Sequence, residues 1–460
     1  MRALMISGDR SGSGKTSISL AIAALLSQKM TVQTFKVGMD YIDPSYLTGV
    51  TGRPCRNLDT FVMARRDLMT IFANGMQGAD LGLIEGVRGL YEGAESLGDT
   101  GSSAAVAKLL GIPVVLVVSA RSITRSAAAI VKGFQSFDPA INIRGIILNN
   151  VAGSQHIRKA TEAIEHHCGI PVIGAVPRQP EMELAMRHLG LVPYLEGKNA
   201  PAFLERIQAI TGMIGEHIDR DALLGLSSPV TLPPGSDSLF PPPEDPESTI
   251  AIALDEAFNF YYADLFDILR AEGAEVITFS PLHDPLPAAD GYIFGGGYPE
   301  LFLHELEANE KMRDAVRERS REGVPVYAEC GGLMYLTEEI RTRSGWQGKE
   351  TAESCQMCGV FEGSTVMPAR RVVSYVEGES LGGNPVGPGR FRGHEFHYSD
   401  VILPDDTHFS YLLSRGKGIR GQHDGAVRDN TIGSYTHLHP VSSWGMFSAF
   451  VTSCRNHSRR

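Results

Sequence analysis

Apolar positions along this chain follow two alternating periods. MRALMIS reads as a short buried strand, and TSISLAIAALLSQ after it carries its apolar residues at helical spacing. The same alternation recurs downstream. Strands are predicted near Leu83–Glu85, Val114–Val118, Gly145–Leu148 and Val172–Ala175, then near Ile250–Leu254, Tyr292–Phe294 and Val324–Ala328. Strands that alternate with helices predict parallel α/β sheets. Between the two sets, residues 226–248 are dense in Pro, Ser and acidic side chains. Such a composition buries little apolar surface and predicts an extended linker. The expected organisation is therefore 1–225, a linker over 226–248, and 249–460, with α/β architecture on both sides.

The junction of the first strand and helix reads GDRSGSGKTS, from Gly8 to Ser17. It ends like a phosphate-binding loop, but five residues separate Gly8 from Gly14 where the common pattern has four. The insertion leaves the chemistry intact. Gly12 and Gly14 let backbone N–H groups turn toward a phosphate, and the helix N-terminus adds partial positive charge. Lys15 is placed to reach the β and γ phosphates of ATP, and the Thr16 hydroxyl to ligate Mg²⁺. A turn that merely caps a helix would not need strand, loop, Gly-Lys-Thr and helix all in register.

Acidic residues follow at other strand ends. FKVGMDYIDPSY, from Phe35 to Tyr46, follows a short strand, and ligands of open α/β sheets bind beyond the carboxyl ends of strands. Lys36, Asp40 and Asp43 are thus expected beside the phosphates, with Lys36 and Tyr41 as substrate-positioning candidates. In LGLIEGVRGLYEG, Glu85 closes an apolar strand where a carboxylate can hold Mg²⁺, and Arg88 follows three residues later. Arg10, inside the loop, faces either phosphate or solvent. In ILNNVAG, Asn149 or Asn150 is a candidate for reading the adenine edge, with a turn-forming Asn pair as the equal alternative.

Composition narrows the partners. Hydrophobic content of 43% and charged content of 21% are those of an ordinary globular protein, and a net charge of -11 leaves no basic excess for nucleic acid. The longest apolar run, IPVVLVVSA, is too short to cross a bilayer, and the first strand starts without a leader-like segment. Six cysteines without a paired framework suit a reducing cytoplasm. Cys355 and Cys358 form a lone C-x-x-C, read as loop thiols because no further ligands stand at matching spacing.

One cysteine stands apart. In VPVYAECGGLMYL an apolar strand runs into Glu329-Cys330-Gly331-Gly332 and then a helix. A strand–nucleophile–helix elbow exposes its side chain on a tight turn, and a helix start favours thiolate. The Gly331 N–H, with Gly296 in the FGGGYPE loop, is a candidate oxyanion hole. A thiolate needs a base, and four histidines compete: His394 and His397 in RGHEFHYS, His437 and His439 in GSYTHLHPVSS. The residues alone do not choose among them.

These segments together resemble the a,c-diamide synthases of tetrapyrrole biosynthesis, which act on cobyrinate or on nickel-sirohydrochlorin. The resemblance spans essentially the whole chain and is carried by GDRSGSGKT, FKVGMDYIDPSY, RNLDTF, IEGVRGLYEG, DEAFNFYY, GGGYPE, YAECGGLMYL, GHEFHYS and GSYTHLH. It implies a dethiobiotin-synthetase-like ATP-binding domain that phosphorylates a carboxylate, joined to a class I glutamine amidotransferase domain. It implies Cys330 as glutaminase nucleophile and His437 as its base. A Glu two residues beyond that His is common in the wider class; His439 stands there, so a dyad without a third member is implied. Asp40 and Glu85 match acids near the metal and the substrate carboxylate. Arg88 stands where many cobyrinate enzymes have Met, Ser374-Tyr375 replaces Gly-Tyr, and Ala263-Asp264-Leu265 lacks the family's usual Asn. The segments IEGVRGLYEG, ARSITRSAAAIVKGF, VVSYVEGES and SRGKGI resemble the methanogen-type members, which serve the nickel coenzyme or corrinoids, whereas the missing Asn bears on one family contact. The implied partners are ATP, Mg²⁺, glutamine and a polycarboxylate metallo-tetrapyrrole, with neither nucleic acid nor membrane and a homodimer left open. Two other readings stay in play: an ATPase switch fused to an inert amidotransferase domain, and a glutaminase feeding another acceptor.

Overall fold

The computed structural model describes the chain except residues 179–185, 188–189, 192, 199, 231–239, 241–244, 349 and 460. It divides into two compact units, residues 1–239 and 240–460. Most of the linker expected over 226–248 lies outside the described residues. At its start Ser228 and Pro229 pair antiparallel with Ala3 and Arg2, and at its end Ser248 already opens a strand.

The first unit is built on seven parallel strands: β1 (Arg2–Gly8), β2 (Val32–Val37), β3 (Arg56–Leu58), β4 (Leu81–Gly89), β5 (Val114–Ser119), β6 (Ile143–Val151) and β7 (Val172–Pro177). Their order is β3-β2-β4-β1-β5-β6-β7. β1 is buried from Ala3 to Gly8, as a central parallel strand covered on both faces must be. Helix α1 (Lys15–Ser27) turns Ile18, Ala21 and Ile22 into a core shared with Ile207, Ile210 and Ile214 of the helix Pro201–Gly215. This order sets the chemistry: Glu85 lies opposite Ile6 on one side and Lys36 on the other. The ends of β1, β2 and β4 therefore open on one place.

The second unit holds a ten-stranded sheet. Strands 274–279, 248–253, 291–294, 326–329 and 431–434 run parallel, as the alternation predicts. The sheet then continues antiparallel through 423–428, 408–415, 372–381 and 388–397 to the pair His437–Leu438. This half departs from the strand–helix alternation, because VVSYVEGESL and PGRFRGHEFH pair directly as a hairpin with no helix between them. A separate four-stranded sheet carries 353–356, 337–342, 361–367 and 400–402. No helix among the described residues is long and apolar enough to cross a membrane.

Candidate active sites of the two units

β1 and α1 meet at the glycine-rich loop. Gly14 has φ of 88° and Gly12 of 78°, left-handed values that a side chain disfavours. At Gly14 a Cβ would lie 2.0 Å from the Asn149 side-chain nitrogen. That Asn149 Nδ2 donates to the Ser13 carbonyl at 2.8 Å, and its Oδ1 accepts from the Asn150 N–H at 2.9 Å. The structure thus uses Asn149 as a brace behind the loop. β6 ends directly behind Gly14, and one donor hydrogen and one acceptor lone pair of the amide are used there, which leaves the second of each for a further partner. Arg10 extends into solvent and pairs with Asp9.

Three oxygen donors converge just beyond the loop. The Thr16 hydroxyl lies 2.8 Å from Glu85 Oε1 and 3.2 Å from Asp43 Oδ2. Lys15 Nζ donates to Glu85 Oε1 at 3.1 Å, and Lys36 Nζ to the same oxygen at 2.8 Å and to Asp43 at 2.5 Å. Burial and the neighbouring Lys36 charge lower the Lys15 pKa, against the pull of Glu85 and Asp43. Burial alone would also lower Lys36, but Asp43, Glu85 and Asp40 override it and hold its pKa well above the ordinary lysine value. Lys36, expected to position substrate, therefore holds the acids together. The second oxygen of Glu85 is buried without a hydrogen-bond partner. A hydroxyl and two carboxylates at one point, with an orphaned buried oxygen, fit a hard divalent cation.

Asp40 takes a lesser place. Its Oδ1 accepts from the Ile42 and Asp43 N–H groups, opening the helix Ile42–Thr51, and its Oδ2 stands 3.7 Å from Lys36. Tyr41 is buried at that same helix start. Arg88 is exposed at the end of β4, with φ of 46°, and the facing pair Gly8 and Gly89 puts it beside the phosphate loop.

In the second unit the strand Val326–Glu329 and the helix Gly331–Leu336 meet at Cys330, whose φ of 47° and ψ of -99° mark the strained elbow. Antiparallel pairing of His394 with His437 brings His437 to the elbow, where it interacts with Cys330. Gly296 packs so closely that a Cβ there would lie 2.7 Å from the His437 ring. A Cβ on Gly331 would approach the Gly297 nitrogen at 3.0 Å, so the two expected oxyanion segments are neighbours. Burial opposes the imidazolium, yet Cys330 and Glu329 together raise the His437 pKa above its ordinary value.

The third member missing from the sequence reading is Glu329. Its Oε2 stands 3.1 Å from His437 Nδ1. Its Oε1 accepts from the Tyr327 hydroxyl at 2.5 Å and from the Leu438 N–H at 3.0 Å. Beside the expected pair of Cys330 and His437 the structure sets the Glu329 carboxylate, which stands before the cysteine rather than after the histidine. The signal was the YAEC tetrapeptide itself, a carboxylate at the end of a buried strand. The other histidines separate by geometry. His394 stacks on His437 at 4.9 Å and is kept neutral, its pKa lowered by burial and by its histidine neighbours. His397 stacks on Tyr435, and His439 faces Asp264 at 3.5 Å in a fully buried pair.

Two family profiles match the chain across these two sites. Residues 4–192 match the CobQ/CobB/MinD/ParA nucleotide binding domain, and residues 249–443 the CobB/CobQ-like glutamine amidotransferase domain. Cobyrinate a,c-diamide synthase of Methanosarcina acetivorans is 50% identical, covering 95% of this chain and 92% of its own. The synthase of the same name from Methanosarcina barkeri is 48% identical, covering 98% and 96%. That from Methanothermobacter thermautotrophicus is 42% identical, covering 95% and 96%. A nucleotide-binding unit and a glutamine amidotransferase unit in one chain, at this identity over nearly full length, make the protein a glutamine-dependent amidating ligase of the cobyrinate a,c-diamide synthase family.

Proposed function

We propose that this enzyme amidates the a- and c-side-chain carboxylates of a metallated tetrapyrrole, using ATP and the amide nitrogen of glutamine. The observation that carries the reading is the meeting of Thr16, Asp43 and Glu85 oxygens beside Lys15, in a chain that also holds Cys330 against His437. The first is equipment for phosphoryl transfer, the second for acyl transfer. A bare ATPase switch needs no braced thiol, and a lone glutaminase needs no phosphate loop.

In this mechanism the Cys330 thiolate attacks the glutamine carboxamide carbon, and the Gly331 and Gly296 segments border the developing oxyanion. His437, steadied by Glu329, protonates the departing ammonia, and water then releases glutamate. In the other unit the ATP γ-phosphoryl group passes to a substrate carboxylate oxygen and ADP leaves. Ammonia attacks the acyl phosphate and phosphate departs. Thr16, Asp43 and Glu85 are the residues that would hold Mg²⁺, which when bound neutralises charge on the transferring group. Cobyrinate is the substrate that the relatives' names support. Nickel-sirohydrochlorin, for the nickel coenzyme of methanogenesis, is the second candidate, favoured by Arg88 in place of Met. Incubation with ATP, Mg²⁺, glutamine and each ring, followed by weighing the products, tests the proposal: a ring gaining two amides supports it, and no amidated ring overturns it.

Arg88 presents an exposed guanidinium on the phosphate-loop side of β4, suited to a bidentate grip on a peripheral carboxylate. Arg88→Met is expected to spare ATP binding and raise the KM for the ring roughly 10- to 100-fold, as loss of a charge-assisted hydrogen bond costs. Unchanged ring kinetics would remove Arg88 from the site and the nickel reading's main support.

His437→Ala is expected to lower glutamine hydrolysis by about 10²- to 10⁴-fold, as for a lost general acid–base group. His439→Ala, changing a buried pair with Asp264, should cost activity far less. Because Cys330 and Glu329 raise the His437 pKa, the rate should stay level as pH climbs through about 6.5, the ordinary histidine value. Glu329→Gln withdraws one negative charge, so the His437 pKa falls and a titration should emerge in that range. A reversed ranking of the two histidines, or identical pH profiles with and without Glu329, contradicts the assignment.

A further inference from the structure

We propose that His304, Glu307 and Cys355 form a divalent-metal site of zinc type in the amidotransferase unit, apart from the Cys330 site. The helix Leu303–Ala308 carries His304 and Glu307 three residues apart, hence on one face. The strand Glu353–Gln356 brings Cys355 to that face, and one ligand atom from each residue lies within 4.8 Å of the other two. Cys355 is 2% exposed, yet its Sγ is directed to His304 Nδ1 at 3.6 Å. A tetrahedral zinc with ordinary bond lengths sets sulfur and nitrogen about 3.5 Å apart.

The surroundings match those of a ligating set. His304 Nε2 faces Glu353 Oε1 at 3.9 Å, an ion-pair rather than a hydrogen-bond distance, so a carboxylate stands on the side of the ring away from the thiol, where metal-bound histidines have their outer partner. Glu307 Oε1 accepts from the Gln356 N–H at 2.7 Å, which fixes its carboxylate toward the strand. A thiol–imidazole hydrogen bond alone would need neither acid. One sulfur, one imidazole nitrogen and one carboxylate suit zinc rather than magnesium, and leave a fourth position for water. Cys358 is no part of it: its thiol is fully buried outside this cluster, and burial pushes its pKa up to about 12. The C-x-x-C thus splits its two thiols between different neighbourhoods. On binding, the Cys355 thiol gives its proton to solvent and its sulfur bonds the metal, so affinity should rise with pH. The bound ion would fasten the helix Leu303–Ala308, which follows the Gly296–Leu301 segment, to the strand Glu353–Gln356.

The test is cobalt substitution in the full chain after chelator treatment. One Co²⁺ per chain should give a thiolate-to-cobalt charge-transfer band that added Zn²⁺ bleaches. The band should persist in Cys330→Ser and Cys358→Ser and vanish in Cys355→Ser. His304→Gln changes an exposed side chain and keeps the test decisive should the buried Cys355 variant not fold. It should weaken binding at least as much as the roughly 10- to 100-fold expected for Glu353→Gln. A band that survives both Cys355→Ser and His304→Gln, that disappears with Cys330, or that never forms, overturns the site.

Discussion

Replacing Cys330 by alanine is expected to abolish glutamine use while leaving amidation from free ammonia largely intact. The loss of glutamine hydrolysis should reach roughly 10⁴-fold or more, since no other group can form the thioester. The fold should survive. Alanine takes the same backbone position, with φ of 47°, and removes only one sulfur from a 7% exposed site. Every part of the Thr16, Asp43 and Glu85 cluster lies in the other unit and is untouched. Ammonia supplied at high concentration should then yield the amidated ring at a rate near that of the unmodified enzyme. A folded Cys330→Ala enzyme that makes no product from ammonia would falsify the division of labour between the units.

Glu85→Gln should give the complementary result. Amidation should fall by on the order of 10²- to 10³-fold or more with either nitrogen source, while basal glutamine hydrolysis at Cys330 persists. The substitution keeps the shape of the side chain but removes the charge that Lys15, Lys36 and Thr16 converge on. It also replaces one of the two Glu85 oxygens, which would face Mg²⁺ in the proposed mechanism, by an amide nitrogen. Lys36 still retains Asp43 at 2.5 Å, so the cluster keeps an ion pair and the unit should stay folded. Amidation that continues at the original rate would show that Glu85 is not at the reacting centre.

How much of this was legible in the sequence follows from how local each feature is. The phosphate loop and the elbow are continuous stretches in which strand, turn glycine and helix follow directly, so residues 8–17 and 324–336 announce themselves. The convergence of Thr16, Asp43 and Glu85 depends on β4 lying between β1 and β2, a pairing order that spacing does not encode. His437 was singled out among four histidines only by the family resemblance; its physical place follows from the antiparallel pairing of 393–394 with 437–438, which residue spacing does not encode. Glu329 is in plain view in YAEC, but its approach to His437 comes from the parallel pairing of 326–329 with 431–434 across about a hundred residues. The bracing of the phosphate loop by Asn149 depends on β6 ending behind Gly14, which spacing does not encode. Cys355 looked ligand-poor because His304 and Glu307 lie some fifty residues upstream and arrive only by folding.

The proposed division of the chemistry predicts one chain of atoms: glutamine nitrogen should end in the ring amide, and a carboxylate oxygen in phosphate. Both are read in a single reaction with glutamine labelled by ¹⁵N at its amide and ring substrate labelled by ¹⁸O in its carboxylates. Mass spectrometry of the products should find ¹⁵N in the amidated ring and one ¹⁸O in each phosphate released. Product that carries ¹⁵N while its phosphate holds no ¹⁸O would contradict activation of the carboxylate by phosphoryl transfer.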